Sequence, residues 1–225
     1  MNIALTRSDA GYRIQFQGSR AKAPARDLGE LASKILIVTL FSYMSTRIAQ
    51  DCAETGHVTG MLMLASEALV VFLTLVRRSA GTVDRTFRAR TLTMVATFGP
   101  PMVAPDSMYG IAPESVTLLI AGAGLIVVVL GKLSIGRSFG LSPANRGVVC
   151  TGMYRFVRHP IYLGYLIIHI GFLAANPSAW NVAILTIGDI ALMRRAQCEE
   201  ATLVRDEAYR AYMGRVRWRV LPGVF

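Results

Sequence analysis

Hydrophobic and polar residues alternate in long blocks along this chain. Six apolar segments, at about 28–48, 58–76, 91–103, 115–135, 161–175 and 180–193, are separated by short polar stretches. The stretch after the first segment contains Asp51 and Glu54 and is expected to be a loop. The longer segments are long enough to cross ~30 Å of hydrocarbon as helices. The pattern therefore predicts an all-α, polytopic integral membrane bundle with about five to six membrane segments.

Breakers and small residues predict how these segments are shaped. Gly99-Pro100-Pro101 interrupts the short third segment, which indicates a broken or tilted helix. Gly124 and Gly131 in the fourth segment favour close approach of a neighbouring helix. The last two segments are each shorter than a usual span, and only the turn at 176–178 separates them. They predict a helical hairpin, and the sequence leaves open whether it crosses fully.

Positively charged residues are concentrated in some of the polar stretches between these segments. The 225 residues carry a formal net charge of +10, and all but two of the 24 Lys and Arg residues lie in stretches 1–27, 77–90, 132–158 and 194–219. An excess of Lys and Arg marks cytoplasmic loops, so we expect a multi-pass protein with both termini and the 132–158 loop in the cytoplasm. No separate soluble basic domain is present, which argues against a nucleic-acid partner.

The cysteines and the N-terminal residues limit which further features are expected. Cys52, Cys150 and Cys198 are scattered and odd in number, so neither a disulfide framework nor a metal site is expected. Residues 1–27 contain no apolar core of a signal peptide. We interpret them as a cytoplasmic tail, in which Tyr12 and Ile14 alternate with polar residues and allow a short extended piece.

Glu67 lies near the middle of the second apolar segment. An ionisable residue at that depth is a candidate for a functional role. The alternative is a protonated or hydrogen-bonded glutamate between helices.

A polar island at 145–164 separates the fourth and fifth segments. It contains Gly152-x-Tyr154 followed by Arg158-His159-Pro160-x-Tyr162-x-Gly164. Proline suits the first turn of a helix, so Arg158 and His159 are expected at a helix start. The N–H groups and partial positive charge of that end suit a ligand with a carboxylate. The alternative is a loop whose arginines face lipid headgroups.

A second polar set follows the last apolar segment. On a helix continuing through Glu199-Glu200, Arg195 and Glu199 share a face. In a hairpin, the end of the second helix meets the start of the first, so this pair is expected near His159 and Tyr162. Alternatively, both glutamates lie on a solvated helix face and pair with Arg194 and Arg195.

Together these elements form one ordered series. It runs Gly152-x-Tyr154, Arg158-His159-Pro160-x-Tyr162-x-Gly164, the Asn-Pro turn, Glu199-Glu200-x-x-Leu203, Tyr209-x-x-Tyr212, Val216 and Pro222. The series resembles the isoprenylcysteine carboxyl methyltransferase family, within the wider group that includes membrane phospholipid methyltransferases. The resemblance covers about 133–222, while residues 1–110 are similar only in being helical membrane segments.

The resemblance implies a role for specific residues. The cofactor would be S-adenosyl-L-methionine (SAM), bound from the cytosol by a C-terminal cytoplasmic region. The implied cofactor-binding residues are Gly147, Val148, Val149, Tyr154, His159, Pro160, Ile161, Tyr162 and Glu199. Arg195 is implied as the catalytic residue that holds the methyl acceptor. Arg146 stands where the family has a histidine, so a side-chain contact to the cofactor is not carried over there.

The chain is accordingly divided into a cytoplasmic tail (1–27), membrane helices of uncertain role (28–132) and a methyltransferase core (133–225). The expected reaction is carboxyl O-methylation of an isoprenylcysteine-like or isoprenoid acid. A carboxylate is already ionised at neutral pH, and Arg195 would suffice to hold it. An amine acceptor would need a base, and the sequence shows no clear one.

Three other interpretations stay open: a phospholipid N-methyltransferase, an NADPH-dependent membrane sterol-type reductase, and a non-enzymatic membrane subunit. The expected partners are a lipidic or prenylated small molecule and membrane lipids. The sequence fixes neither the acceptor nor the oligomeric state.

Overall fold

A computed structural model describes residues 4–8, 11–15, 28–76, 86–105, 110–135 and 148–224. Seven helices and two short 3₁₀ turns fall within these ranges. They are α1 (Leu28–Thr55), α2 (Thr59–Val76), α3 (Phe87–Phe98), α4 (Glu114–Ile135), α5 (Pro160–Ala175), α6 (Ala179–Leu203) and α7 (Glu207–Arg215), with 3₁₀ turns at Pro100–Met102 and Gly152–Arg155. The chain divides into two units, 1–36 and 37–225.

The N-terminal unit contains the part of the fold that departs from the all-α expectation. Strands β1 (Ala4–Ser8) and β2 (Gly11–Gln15) pair antiparallel, with Arg7 opposite Tyr12. The alternation of Tyr12 and Ile14 with polar residues has the period of two that a strand requires. Within the described residues of the larger unit, the regular structure is helical.

Helix α1 is longer than the first apolar segment. It continues through Asp51 and Glu54, which the sequence analysis placed in a loop, and that expectation is wrong. Polarity alone does not end a helix, and no proline or glycine interrupts these positions. The helix ends at Thr55, and Gly56 follows it with a φ of +76°, a conformation that glycine adopts without strain.

Helices α4 and α5 pack closely because both carry small residues at their contact. A Cβ placed on Gly124 would lie 2.8 Å from the carbonyl oxygen of Gly164, and one on Gly164 would lie 2.5 Å from a methyl group of Val128. No larger side chain fits at either position without moving a helix backbone. The expected close approach at the fourth segment is confirmed.

The break in the third segment is also confirmed. Helix α3 ends at Phe98, and the 3₁₀ turn Pro100–Met102 follows it. The side-chain amide of Asn181 on α6 then brackets Ala104, accepting from its N–H at 2.8 Å and donating to its carbonyl at 2.7 Å. This contact fixes the start of α6 beside the end of the broken segment.

The last two segments form α5 and α6, joined by the turn at 176–178 as expected. Helix α6 runs on to Leu203 and carries Glu199 and Glu200 beyond its apolar part. In the described part of the chain, α5 packs most extensively on α4, and α6 packs most extensively on α3.

Among the described residues, one helix is long and apolar enough to cross a membrane, judged by length and composition. This is α4, with a mean hydropathy of 2.4. Leu119, Ile126 and Leu133 are exposed along one stripe of it, seven residues apart. Apolar side chains at that spacing share a helix face, as expected where a helix meets lipid. The number of membrane segments and the sidedness stay predictions.

Candidate active site

The start of α5 is paired with the C-terminal segment of the chain. The N–H groups of Arg158 and His159 donate to the carbonyls of Trp218 and Arg219 at 2.9 and 2.8 Å. The N–H groups of Tyr162 and Leu163 donate to the carbonyl of His159 at 3.1 and 3.2 Å. These four N–H groups are therefore engaged within the protein. The expectation that this helix start receives a carboxylate-bearing ligand stays a prediction.

The Glu199 carboxylate lies at the centre of the predicted convergence. Its Oε1 accepts a hydrogen bond from the Tyr162 hydroxyl at 2.7 Å and one from the Arg195 Nε–H at 3.0 Å. Its Oε2 lies 3.6 Å from Nδ1 of His159. The expectation that the end of the second hairpin helix meets the start of the first is confirmed.

Aromatic contacts hold this group in a fixed arrangement. The rings of His159 and Tyr162 stack, with centroids 5.2 Å apart and planes inclined by 16°. The Arg195 guanidinium carbon lies 5.4 Å from the centroid of the Tyr162 ring, within cation–π range. The Tyr162 ring is thus already in contact with two protein groups. None of the cation–π contacts found among the described residues involves the ring of Tyr154.

Glu200, next to Glu199, is the centre of a second and more deeply buried cluster. Arg158 donates to it with both Nε, at 2.7 Å, and Nη2, at 3.2 Å. Arg219 donates through Nε at 2.8 Å, and Nε2 of His159 lies 3.2 Å from the same carboxylate. Glu200 is only 4% exposed. The alternative that both glutamates lie on a solvated helix face is wrong for this residue.

Electrostatics in this cluster favour the ionised carboxylate. Burial alone would raise the pKa of Glu200, but hydrogen bonds from His159, Arg158 and Arg219 lower it to about 2. The group is therefore charged throughout the physiological range. Buried charges need such partners, because an unpaired charge in a protein interior is costly.

Arg158 extends this cluster to the C-terminal segment. Its Nη1 donates to the carbonyls of Val216 and Arg217 at 2.8 and 2.9 Å. We call the group formed by Arg158, Glu200 and Arg219 the C-terminal clamp. The motifs in the sequence did not predict this clamp. The adjacent pair Glu199-Glu200 could have indicated it. Neighbouring residues on a helix point about 100° apart, so the two glutamates must have different partners.

Tyr154 lies in a separate aromatic cluster next to the clamp. The 3₁₀ turn Gly152–Arg155 places it there, and its carbonyl accepts a hydrogen bond from the Tyr212 hydroxyl at 2.7 Å. Burial raises the pKa of the Tyr212 phenol, so it stays protonated and can donate. The members of the cluster are Tyr154, Tyr209, Tyr212 and Val216, with Val148 and Val149 packed against it.

The predicted site residues therefore fall into two neighbouring groups. Helices α5 and α6 bring together His159, Tyr162, Arg195 and Glu199. Pro160 and Ile161 are buried in the first turn of α5. Val148, Val149 and Tyr154 lie in the aromatic cluster, which Val216 joins to the clamp. Gly147 lies outside the described residues.

Comparison with known proteins adds one finding. Residues 116–205 match the model of the isoprenylcysteine carboxyl methyltransferase (ICMT) family. The match begins near the start of α4 and ends just after α6, so it includes the polar island and the Glu199-Glu200 pair. It confirms the resemblance drawn from the motifs and implies a membrane-associated methyltransferase. No curated protein matches the chain.

Proposed function

We propose that this protein transfers the methyl group of SAM to the carboxylate of an isoprenylcysteine-like or isoprenoid acid at the cytoplasmic membrane face. One observation carries the proposal. Within the matched region, the Glu199 carboxylate is held between Tyr162, Arg195 and His159 at the end of a helical hairpin. Glu199 offers a hydrogen-bond acceptor to the cofactor, and Arg195 next to it offers a cation to the acidic substrate that is methylated.

The residues fit the chemistry of SAM. Its ammonium group and ribose hydroxyls are hydrogen-bond donors, and the partly accessible Glu199 carboxylate accepts such bonds. Its adenine is flat and apolar on its faces, which suits the surface of Tyr154, Val148 and Val149. When bound, the cofactor supplies an electrophilic methyl group on a sulfonium.

Arg195 would hold the acceptor. It is 5% exposed, so its charge lies in surroundings of low polarity where attraction to a carboxylate is strong. The acceptor's carboxylate is already ionised at neutral pH, so no base is needed. The contribution of the protein is to orient the two reacting groups and exclude water. The stacked ring of Tyr162 and the bond to Glu199 restrain the guanidinium for that task.

A methyl-transfer assay on purified protein tests the proposal. The donor is SAM labelled in its methyl group, and the acceptor is N-acetyl-S-farnesylcysteine. Labelled product should form, and alkali should release the label as methanol because a methyl ester hydrolyses. The same assay should be run with a membrane-lipid extract as acceptor. If alkali does not release the label from that product, the protein is an N-methyltransferase.

Binding of labelled SAM and of NADPH should be measured on the same preparation. SAM binding without NADPH binding supports the proposal. The reverse result would favour a sterol-type reductase, and binding of neither would favour a non-enzymatic membrane subunit.

A further inference from the structure

A cavity extends from the candidate site into the helical bundle. Tyr162 and Arg195 form one end of it, and His169 and Asp189 also line it. Glu67 of α2 contributes a further wall, together with residues of α3 and the Pro100–Met102 turn. The cavity therefore connects the methyl-transfer residues with ionisable groups that the proposed reaction does not use.

The His169–Asp189 pair has a defined arrangement. Nδ1 of His169 lies 2.7 Å from Oδ1 of Asp189. The two atoms are within hydrogen-bond distance, and the second ring nitrogen of His169, Nε2, is left for another partner. His169 is only 4% exposed. Within the described part of the chain, no hydrogen bond engages its Nε2.

Glu67 and Lys132 are two further ionisable groups in or next to the cavity. Glu67 interacts electrostatically with Lys132 and His169. The Lys132 ammonium lies 5.3 Å from the centroid of the Tyr165 ring and 3.5 Å from the Ser66 carbonyl oxygen. It is not part of the cavity lining, whereas both carboxylates are. The inner part of the cavity is therefore lined by side chains that can form hydrogen bonds, among them those of Glu67, His169, Asp189 and Tyr165.

The depth of these groups follows from helix geometry. On α6, Asp189 precedes Arg195 by six residues, and on α5, His169 follows Tyr162 by seven. At about 1.5 Å per residue, both separations correspond to roughly 10 Å along the helices. A plain prenyl chain attached to a carboxylate at Arg195 would place only hydrocarbon at that depth. Hydrocarbon there would leave these polar groups desolvated without new partners, which is unfavourable.

We infer that the natural acceptor carries a polar group that forms hydrogen bonds, a hydroxyl or an amine, about 10 Å from the carboxylate that is methylated. His169, Asp189 and Glu67 would receive this group. The inference rests on the proposed function and narrows its substrate class from a prenylated acid to a lipid with two polar ends. His169 and its neighbours are then specificity-determining residues, and Arg195 holds the end that reacts.

Gly188 gives a way to close the cavity without disturbing the fold. It lines the cavity, and a Cβ built on it meets no atom within 4 Å. Gly188→Leu should therefore fill the space with its side chain. Gly214 on α7 is a matched control, because a Cβ there also meets no atom within 4 Å and the residue does not line the cavity.

The experiment compares two acceptors of equal length. One is N-acetyl-S-farnesylcysteine, and the other is its analogue with a hydroxyl group about 10 Å from the carboxylate. Affinity for each is measured without SAM, and methyl transfer is then measured with it. The wild type should prefer the hydroxylated acceptor by about tenfold or more in both measurements, because a site built to bond a hydroxyl rejects an analogue that lacks it.

Variants show whether the cavity causes the preference. Asp189→Asn and Glu67→Gln should reduce the preference several-fold while SAM affinity stays unchanged. Gly188→Leu should weaken binding of the hydroxylated acceptor, and Gly214→Leu should not. If these residues only hold the helices together, the substitutions would change the stability of the protein but not the ratio of its affinities for the two acceptors.

The outcomes separate this inference from the function on which it rests. Methylation of both acceptors at equal rates, or a preference that these variants leave intact, overturns the inference and leaves the methyltransferase in place. Methylation of neither acceptor, without SAM binding, overturns the proposed function. If the wild type binds the hydroxylated acceptor preferentially and Asp189→Asn abolishes this preference, the binding result supports the cavity as the site even when neither acceptor is methylated.

Discussion

Glu200→Gln is the substitution that most directly tests the C-terminal clamp. The change keeps the size of the side chain but removes its charge and replaces one acceptor oxygen with an NH₂ group. Arg158 and Arg219 together direct three N–H groups at the two oxygens of Glu200. A glutamine amide would oppose at least one of these donors with another donor.

The expected cost is large because the cluster is buried. Removing one partner of a buried ion pair leaves an uncompensated charge and costs roughly 3–5 kcal/mol. Arg158 is 8% exposed and also holds the carbonyls of Val216 and Arg217. We therefore expect Glu200→Gln to lower the midpoint of thermal unfolding by several degrees and to release the C-terminal segment from the start of α5.

The same cluster predicts a pH dependence of stability. Folding lowers the pKa of Glu200 from its ordinary value of 4.5 to about 2. The stabilisation is therefore complete above about pH 4.5 and is lost as the pH falls through the folded pKa near 2. The wild type should lose stability in this window, and Glu200→Gln should lose less because its side chain does not titrate.

The assay is thermal unfolding of purified protein in detergent between pH 7 and low pH, with limited proteolysis to detect release of the C-terminal segment. Glu207→Gln is the control, since Glu207 is an exposed glutamate on α7 and surface changes usually alter stability by less than about 0.5 kcal/mol. If Glu200→Gln unfolds at the same temperature as this control and with the same pH dependence as the wild type, the clamp does not stabilise the protein as argued.

Three further predictions concern the site and its sidedness. Glu199→Gln should weaken SAM binding at least tenfold while the protein stays folded, because an ionised acceptor of hydrogen bonds is lost; unchanged affinity in a titration would remove Glu199 from the cofactor site. Arg195→Lys should reduce the single-turnover rate more at limiting acceptor than at limiting SAM, because the point charge of lysine cannot replace the bidentate guanidinium. Arg195→Ala should reduce the single-turnover rate at least tenfold, which corresponds to about 1.4 kcal/mol. A loss of less than about threefold in Arg195→Ala would show that this residue does not hold the acceptor. Reporter fusions after Phe225 and near Ala53 should lie on opposite sides of the membrane, from the distribution of Lys and Arg; the same side for both would contradict the six-segment topology.

The sequence determined the helical elements and the convergence of the site. Apolar blocks and breakers located α4, α5, α6 and the interruption after Phe98, because helix formation depends on local periodicity and on where proline and glycine fall. The meeting of Glu199 with His159 and Tyr162 also followed from sequence, since a short turn forces two helices to run antiparallel. That geometry places the two ends of a hairpin side by side.

The tertiary structure alone decided which partners the remaining polar groups have. Arg219 lies 19 residues from Glu200, beyond another helix, so no local period relates them. His169 and Asp189 face a cavity whose other walls come from α2, α3 and the Pro100–Met102 turn. Helix α1 also continued through Asp51 and Glu54, where polarity had predicted a loop. Sequence spacing fixes contacts within a helix or across a tight turn, whereas contacts between distant segments depend on how helices pack, and packing is a property of the whole chain.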